Sequence, residues 1–215
     1  MASEKRTRLD PETRRAQLIE LGVEMLATRT LDELSVEDIA AQAGISRGLL
    51  FHYFASKQEF HVEVARAAAQ TLIERTAPDV SLAPVEALRS SLSAFVDFVE
   101  DNPDSYRSLV RGAASGDAEM RAIFEHTRAT MAGRVIDVVA QLGSQLSPRA
   151  ELAVHGWVAL AEECTIRWID TRTVDRGALQ DLLTKALPAL VLAASEEEVA
   201  SLVSILTAQS AIAAK

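Results

Sequence analysis

The stretch Leu34–Lys57, which reads LSVEDIAAQAGISRGLLFHYFASK, constrains the fold more than any other part of the chain. Ser35 is a good N-cap for a short helix, and the small apolar residues of that helix form one narrow hydrophobic face. Gly44 predicts a left-handed end to this helix, and Ser46 predicts the cap of a second one. The pattern therefore indicates two helices that are joined by a tight turn and cross closely.

The second of these helices has an inner and an outer side. Leu50 and Phe54, four residues apart, are expected to pack against the first helix. The outer side carries hydrogen-bond donors and apolar tips without an acidic residue, as is typical of a helix that enters the major groove of double-stranded DNA. The alternative is an ordinary helical hairpin with a solvated face. The predicted DNA contacts are Ser35, Ser46, Arg47, Gly48, Leu49, Phe51, His52, Tyr53 and Lys57.

Within this set the side chains have different predicted partners. Arg47 and His52 are expected to contact bases or phosphates, since both can donate hydrogen bonds to either group. Tyr53 and Lys57 are expected to contact phosphates. Leu49 and Phe51 are expected to make apolar contacts with bases.

The stretch resembles the DNA-binding domain of the TetR family of bacterial transcriptional regulators. The positions that match the family pattern are Ile39, Ala40, Ala43, Gly44, Ile45, Ser46, Leu50, Phe51, Tyr53, Phe54 and Lys57. The resemblance implies a homodimeric repressor that reads a palindromic operator and is released by a small molecule. Leu49 and Phe51 depart from the small or hydroxylated residue and the tyrosine that are common in the family, which bears on the operator sequence.

Composition favours a site-specific DNA-binding protein over a protein that coats nucleic acid. The 215 residues carry a formal charge of −9, and strong non-specific binding needs many phosphate contacts. Up to Lys57 there are eight basic and nine acidic residues, against 14 and 22 in the remainder. The acidity therefore lies in the second part of the chain. Over the whole chain, 48% hydrophobic residues are sufficient for a sizeable core.

The expected compartment is the cytoplasm. The single cysteine, Cys164, excludes an intrachain disulfide, and the start of the chain lacks the apolar core of a signal peptide. The longest apolar run, Leu182 to Ala194, is interrupted by Lys185 and Pro188 and is not expected to span a membrane.

The predicted fold class is all-α, because helical spacings recur along the chain and no strand pattern interrupts them. Residues 1–57 form the predicted helix-turn-helix DNA-binding domain, with a first helix from Asp10 and a basic arm over residues 1–9. That arm is either a disordered terminus or a DNA contact. Residues 58–215 form a larger helical effector-binding and dimerisation domain. The predicted helices are 10–29, 35–43, 46–54, 57–76, 84–101, 103–110, 117–142, 147–171, 175–193 and a closing helix from Ser195.

The helices predicted at 147–171 and 175–193 are apolar on two sides, and Pro188 is expected to kink or end the second. Two such helices imply a partner, and the resemblance implies that they pair with those of a second subunit in a four-helix bundle. The alternative is an intramolecular core. The predicted dimer residues are Ala153, Gly156, Leu160, Cys164, Leu179, Leu183, Ala186 and Leu190.

Enzyme signatures are missing from the sequence: it has no glycine-rich phosphate loop, no histidine pair at ligand spacing and no serine between glycines at an elbow. No cofactor or metal is predicted. The resemblance implies a small-molecule cavity in the larger domain, and the apolar candidates indicate a hydrophobic effector such as a fatty-acyl compound, a steroid-like molecule or a drug. The predicted effector-binding residues are Phe95, Phe98, Tyr106, Phe124, Met131, Trp157 and Trp168.

Each of these residues has a plainer interpretation as ordinary core. The rival hypothesis for the whole chain is a helical module that binds a small molecule or a protein without touching DNA. An enzyme built in a helix-bundle cavity is a more distant alternative.

Overall fold

The computed structural model describes residues 10–114, 117–141 and 145–194. These residues form nine α-helices and no strand, which confirms the predicted fold class. The basic arm over residues 1–9 and the closing helix predicted from Ser195 lie outside the described residues. The helices are α1 Pro11–Met25, α2 Val36–Gln42, α3 Arg47–Tyr53, α4 Lys57–Arg75, α5 Pro84–Asp101, α6 Pro103–Ala114, α7 Ala118–Gln141, α8 Pro148–Thr171 and α9 Arg176–Ala194.

The helix ends follow the local chemistry of the sequence. Asp10, Ser35, Ser46 and Ser147 each accept a hydrogen bond from the backbone amide three residues later. These side chains satisfy amides that have no partner inside the first turn of a helix.

Gly44 ends α2 as predicted. Its φ is +63°, its amide donates to the Ala41 carbonyl, and the next amide donates to the Ala40 carbonyl. This pattern is a Schellman motif, which satisfies the last carbonyls of a helix and turns the chain sharply. It sets the angle at which α3 leaves α2.

The chain divides into two compact units. The first unit contains the residues up to Leu72 together with Asp101–Phe124, and the second contains Ile73–Glu100 and the residues from Glu125 onward. The first division falls after Leu72, inside α4, because α4 begins at Lys57 and buries Phe60 and Val64 in the first core.

The core of the first unit packs α1 closely against α4. Gly22 of α1 is buried, and a Cβ atom at this position would lie 2.5 Å from Val64 Cγ2 and 3.0 Å from Phe60 Cζ. The Ser105 hydroxyl of α6 donates to the Arg29 carbonyl at 2.6 Å, which attaches α6 beyond the end of α1. These contacts hold the frame on which α2 and α3 are mounted.

A buried histidine connects α4 to the loop before α2. His61 Nε2 lies 3.0 Å from the Leu34 carbonyl oxygen, and burial lowers the pKa of His61. The imidazole is therefore neutral near pH 7, and its Nε2–H donates to that carbonyl.

In the second unit, α8 and α9 pack along one another. The side of α8 that carries Val154, Trp157 and Trp168 is buried, and Trp157 Nε1 donates to the Leu183 carbonyl at 2.8 Å. Leu179 and Leu183, predicted at a dimer interface, are only 3% and 0% exposed. That prediction is wrong for these two residues, because the α9 face that carries them forms the core within one subunit.

α9 does not end at Pro188 and continues to Ala194. A proline inside a helix removes one amide donor, and the hydrogen bonds on either side of it can persist. By length and composition α9 is the one described helix that could cross a membrane, although its apolar run was not expected to span one. The core helix of a water-soluble protein passes the same test, and α9 packs on α8 and carries Arg176 and Lys185, which pair with Asp97 and Asp181.

Substitution of Gly22 by Ala is expected to destabilise the protein by about 1–2 kcal/mol, because overpacking against Val64 exceeds the gain in helix propensity. The matched control is Gly133→Ala in α7, where an added Cβ meets nothing within 4 Å. This control should leave stability unchanged or raise it. Urea unfolding at one fixed protein concentration measures both, and equal midpoints for the two variants would contradict the close packing of α1 on α4.

Candidate functional sites

α3 presents one side to the core and the other to solvent. Leu50 and the following Phe54 are fully buried, whereas Leu49 and Phe51 are each 39% exposed. Gly48 and His52 are also exposed, and the rings of His52 and Tyr53 meet edge to face at 5.5 Å. The inner side packs as predicted, and the outer side is available for contact.

Arg47 is held in place by two neighbours. Its Nη1 lies 2.7 Å from Glu37 Oε1, and its Cζ lies 5.6 Å from the centroid of the Phe51 ring. Both members of the ion pair are mostly exposed, so the pair contributes at most about 1 kcal/mol. Contact with an anionic partner can therefore replace it.

Sequence reasoning missed Glu37. This residue lies on α2, and only the crossing of α2 with α3 brings its carboxylate to Arg47. The prediction that no acidic residue lies on the outer side holds for α3 alone.

The remaining polar residues of the predicted set already have structural partners. The hydroxyls of Ser35 and Ser46 accept the capping amides, and each hydroxyl hydrogen can still be donated elsewhere. Lys57 Nζ lies 3.3 Å from the Asp32 carbonyl oxygen, at the loop before α2. Tyr53 is half-buried.

The second unit contains a cavity of about 650 Å³. Its wall is formed by α5, α7, α8 and α9 and is largely aliphatic. Of the residues predicted to bind an effector, Phe95, Met131 and Trp157 line it. Sequence reasoning missed three valines of α7 at helical spacing on the same wall, Val135, Val138 and Val139. Valine at this spacing is typical of ordinary core, so the sequence alone does not distinguish these residues as part of a binding site.

The other four predicted effector residues do not line this cavity. Tyr106 and Phe124 belong to the first unit. Phe98 is buried beside Arg75, whose Cζ lies 5.6 Å from the ring centroid. Trp168 is occupied at the end of α8, where its Nε1 donates to the Val174 carbonyl at 2.8 Å.

A few polar groups interrupt the apolar wall of the cavity. Arg134 donates from Nη2 to the Ile73 carbonyl at 2.8 Å, and burial lowers the pKa of its guanidinium. The buried Glu162 carboxylate accepts from Arg128 Nε at 2.7 Å. The Ser91 hydroxyl has no hydrogen-bond partner among the described residues. These polar groups can orient a bound molecule through hydrogen bonds, which the valine side chains cannot form.

Several large apolar side chains are exposed on the outer sides of α8 and α9. Leu152 is 72% exposed and Leu182 is 55% exposed, and Leu190 is also exposed. On α8, Gly156 is exposed and a Cβ there would meet nothing within 4 Å. The other predicted dimer residues of α8 are partly exposed: Ala153, Leu160 and Cys164. Ala186 is partly exposed on α9.

Two family models match the chain. The model of bacterial regulatory proteins of the tetR family matches residues 18–64, and the model of the Tetracyclin repressor-like C-terminal domain matches residues 84–190. The chain belongs to the TetR family. The family consists of transcriptional regulators, which are not enzymes, and this TetR-family chain is a DNA-binding regulator.

The curated relatives include a transcriptional activator and a transcriptional repressor. The HTH-type transcriptional activator FasR of Mycolicibacterium smegmatis is 24% identical over 174 residues, which is 80% of each chain. The HTH-type transcriptional repressor KstR2 of Mycobacterium tuberculosis is 38% identical over 90 residues, which is 41% of this chain and 45% of the repressor. The match to KstR2 therefore spans less than half of that protein.

Solved structures share the fold of this TetR-family regulator. A tetR-family regulator from Streptomyces coelicolor superposes with a TM-score of 0.77 at 29% identity, over 93% of this chain and 90% of that one. FadR from Bacillus subtilis, solved in complex with stearoyl-CoA, gives a TM-score of 0.57 at 20% identity, over 82% of this chain and 97% of that one.

Replacement of Arg47 and of Lys57 by Ala is expected to affect DNA binding in different ways. Arg47→Ala should relax the base preference at one operator position by about 1–3 kcal/mol, because a base-contacting side chain is lost. Lys57→Ala should weaken all sequences alike and reduce the salt slope by about one, because a phosphate contact is lost. Fluorescence anisotropy with single-base operator variants over a range of salt concentrations distinguishes the two effects.

The control for this pair is Arg66→Ala, an exposed arginine of α4 outside the helix-turn-helix. It should leave affinity and sequence preference unchanged. Unaltered affinity and preference in Arg47→Ala would show that the outer side of α3 does not read the operator.

Proposed function

We propose that this regulator is a cytoplasmic homodimeric repressor that leaves a palindromic operator when a small, largely hydrophobic effector binds in the second unit. The observation that carries the proposal is the cavity of about 650 Å³ with a largely aliphatic wall. Its volume lies within the range of about 300–1,000 Å³ that is typical of small-molecule sites. A cavity of this size in a helical core has a cost in lost packing, which a ligand recovers on binding.

We propose repression because binding of the dimer to its operator is sufficient to repress transcription. A dimer bound to a palindrome blocks access to that DNA without any further contact, whereas activation needs a productive contact with the transcription machinery. Two recognition helices about one DNA turn apart would read the two half-sites. KstR2 is a repressor and FasR is an activator, so the sign of regulation needs a direct measurement.

The proposed dimer interface is the outer surface of α8 and α9. Exposed Leu152, Leu182 and Leu190 make it apolar, and Gly156 leaves room for the close approach of a second helix. A contiguous exposed apolar patch is unfavourable in water and is typical of an interface. The family's four-helix pairing fits this surface and not the buried side that carries Leu179 and Leu183.

Three chemical classes fit the wall of the cavity: fatty-acyl compounds, steroid-like molecules and hydrophobic drugs. The complex of FadR with stearoyl-CoA supports the first class by analogy. In each case release requires different affinities for the DNA-bound and free states. An effector that favours the free state tenfold contributes about 1.4 kcal/mol toward release, and a complete switch needs several times that.

The test has two stages. Selection of duplexes from a random DNA library at about 150 mM salt, where exposed charges are strongly screened, should yield an inverted repeat. Addition of hydrophobic compounds from the three classes to this operator complex should then release the DNA, as measured by anisotropy. Placed upstream of a reporter, the operator should lower transcription. An increase in transcription of the reporter would show that the protein is an activator and not a repressor.

Val138→Trp is expected to fill part of the cavity and reduce effector-driven release at least tenfold while leaving operator affinity unchanged, because its side chain lies in the cavity wall. The matched control is Asp137→Trp, an exposed neighbour on α7 that does not line the cavity. Equal effector response in both variants would place the effector elsewhere.

Gly156→Arg is expected to prevent dimerisation without unfolding the subunit, because an added side chain has open space in the single chain and none in a close helix pair. Sedimentation velocity should show the monomer, and operator affinity should fall. The control is Ala16→Arg on the exposed side of α1. A dimer that persists in Gly156→Arg would exclude this surface.

A further inference from the structure

Three cations line the cavity of the second unit, and they are not equivalent. Arg89 and Lys185 both pair with Asp181, with Arg89 Nη2 at 2.8 Å from Oδ1. Arg134 has no carboxylate partner among the described residues. Among the described residues its guanidinium donates to two neutral oxygens, the Ile73 carbonyl at 2.8 Å and Thr76 Oγ1 at 3.3 Å.

Arg134 is half-buried in a largely apolar wall, and a guanidinium there without a carboxylate partner among the described residues is unusual in a chain rich in carboxylates. A partly desolvated charge gains from an ionic partner, because neutral hydrogen-bond partners only partly replace the water that is lost. The chain has a surplus of carboxylates, with a formal charge of −9, yet none of the described ones pairs with Arg134. The single carboxylate in the cavity wall, Glu162, is held by Arg128.

We infer that Arg134 binds the acidic group of the effector, which is therefore an amphipathic anion with a carboxylate or phosphate attached to an apolar body. The guanidinium has five donors, of which the two bonds to Ile73 and Thr76 use two. The remaining donors suit a carboxylate or phosphate oxygen. The valines of α7 beside Arg134 contact the apolar body. This inference rests on the proposed function, because it assigns the effector to the same cavity.

The position of Arg134 also gives the anion a route to the end of α4. The Ile73 carbonyl lies in the last turn of α4, the helix that begins at Lys57 directly after the helix-turn-helix. A charged acceptor makes a stronger hydrogen bond with a guanidinium than a neutral carbonyl does. An anion held by the remaining donors of Arg134 is therefore linked through the same guanidinium to the last turn of α4, whereas an uncharged ligand of the same shape is not.

The experiment compares two pairs of probes that differ only in charge: hexadecanoate with hexadecan-1-ol, and a cholane carboxylate with its alcohol. Isothermal titration is performed on the full chain after delipidation, below the concentration at which the probes aggregate. At least one acid should bind the wild type about 10-fold to 100-fold more tightly than its alcohol. The same acid should release operator DNA at a correspondingly lower concentration.

Arg134→Gln should remove this preference while leaving the affinity for the alcohol unchanged. Arg134→Lys should retain most of it, since the charge is kept. The matched control is Arg89→Gln, which removes a cation of the same cavity that is already paired with Asp181, and it should keep the preference.

Each contrary outcome overturns the inference. Equal affinity for acid and alcohol in the wild type, or loss of the preference in Arg89→Gln alone, shows that Arg134 is not the anion ligand. A parallel loss of acid and alcohol affinity in Arg134→Gln assigns a purely structural role. If the alcohols bind and release DNA as well as the acids, only the inference fails. If no member of either pair binds, the proposed hydrophobic effector site fails with it.

Discussion

Burial of the inner side of α3 is the constraint on which the first unit depends. Leu50 and Phe54 have no solvent exposure, and Phe54 meets the Phe60 ring edge to face at 5.0 Å. The guanidinium of Arg15 lies 4.9 Å from the centroid of the Phe54 ring on another side. Since these contacts come from α1 and α4, α3 cannot rotate without exposing two large apolar side chains. Its outer residues are thereby fixed without being buried.

The second unit solves a different packing problem. Its helices bury their large side chains in pairs, as where Trp157 donates to the Leu183 carbonyl. Between α5, α7, α8 and α9 a cavity of about 650 Å³ remains, and the valines of α7 form part of its wall. Protein interiors are normally close-packed, so an opening of this size is the feature on which the proposed effector site rests. A close-packed unit with a DNA-binding helix and a second unit with a cavity fit the proposed ligand-controlled regulator.

The distribution of charge separates specific from non-specific contact. A formal charge of −9 opposes general attraction to DNA, so the proposed operator binding relies on a few well-placed donors such as Arg47. Glu37 adds to this effect, because it holds Arg47 at 2.7 Å and repels phosphates that do not offer a better partner. Arg134 in the cavity differs from Arg47, because its hydrogen-bond acceptors among the described residues are neutral oxygens and not a carboxylate.

Local chemistry by itself determined the helices and their ends. Ser35, Ser46 and Gly44 act through atoms a few residues away, so their roles can be read from the chain. The same holds for the pairing of Leu50 with Phe54 and for the family, whose pattern lies within one short stretch.

Only the tertiary structure decided which helix faces meet. It turned Leu179 and Leu183 inward, left Gly156 open and excluded Phe98 and Trp168 from the cavity. It also paired Glu37 with Arg47 and left Arg134 without a carboxylate partner among the described residues. The physical reason is that an apolar stripe fixes which side of a helix must be buried, whereas the partner that buries it depends on helices distant in sequence.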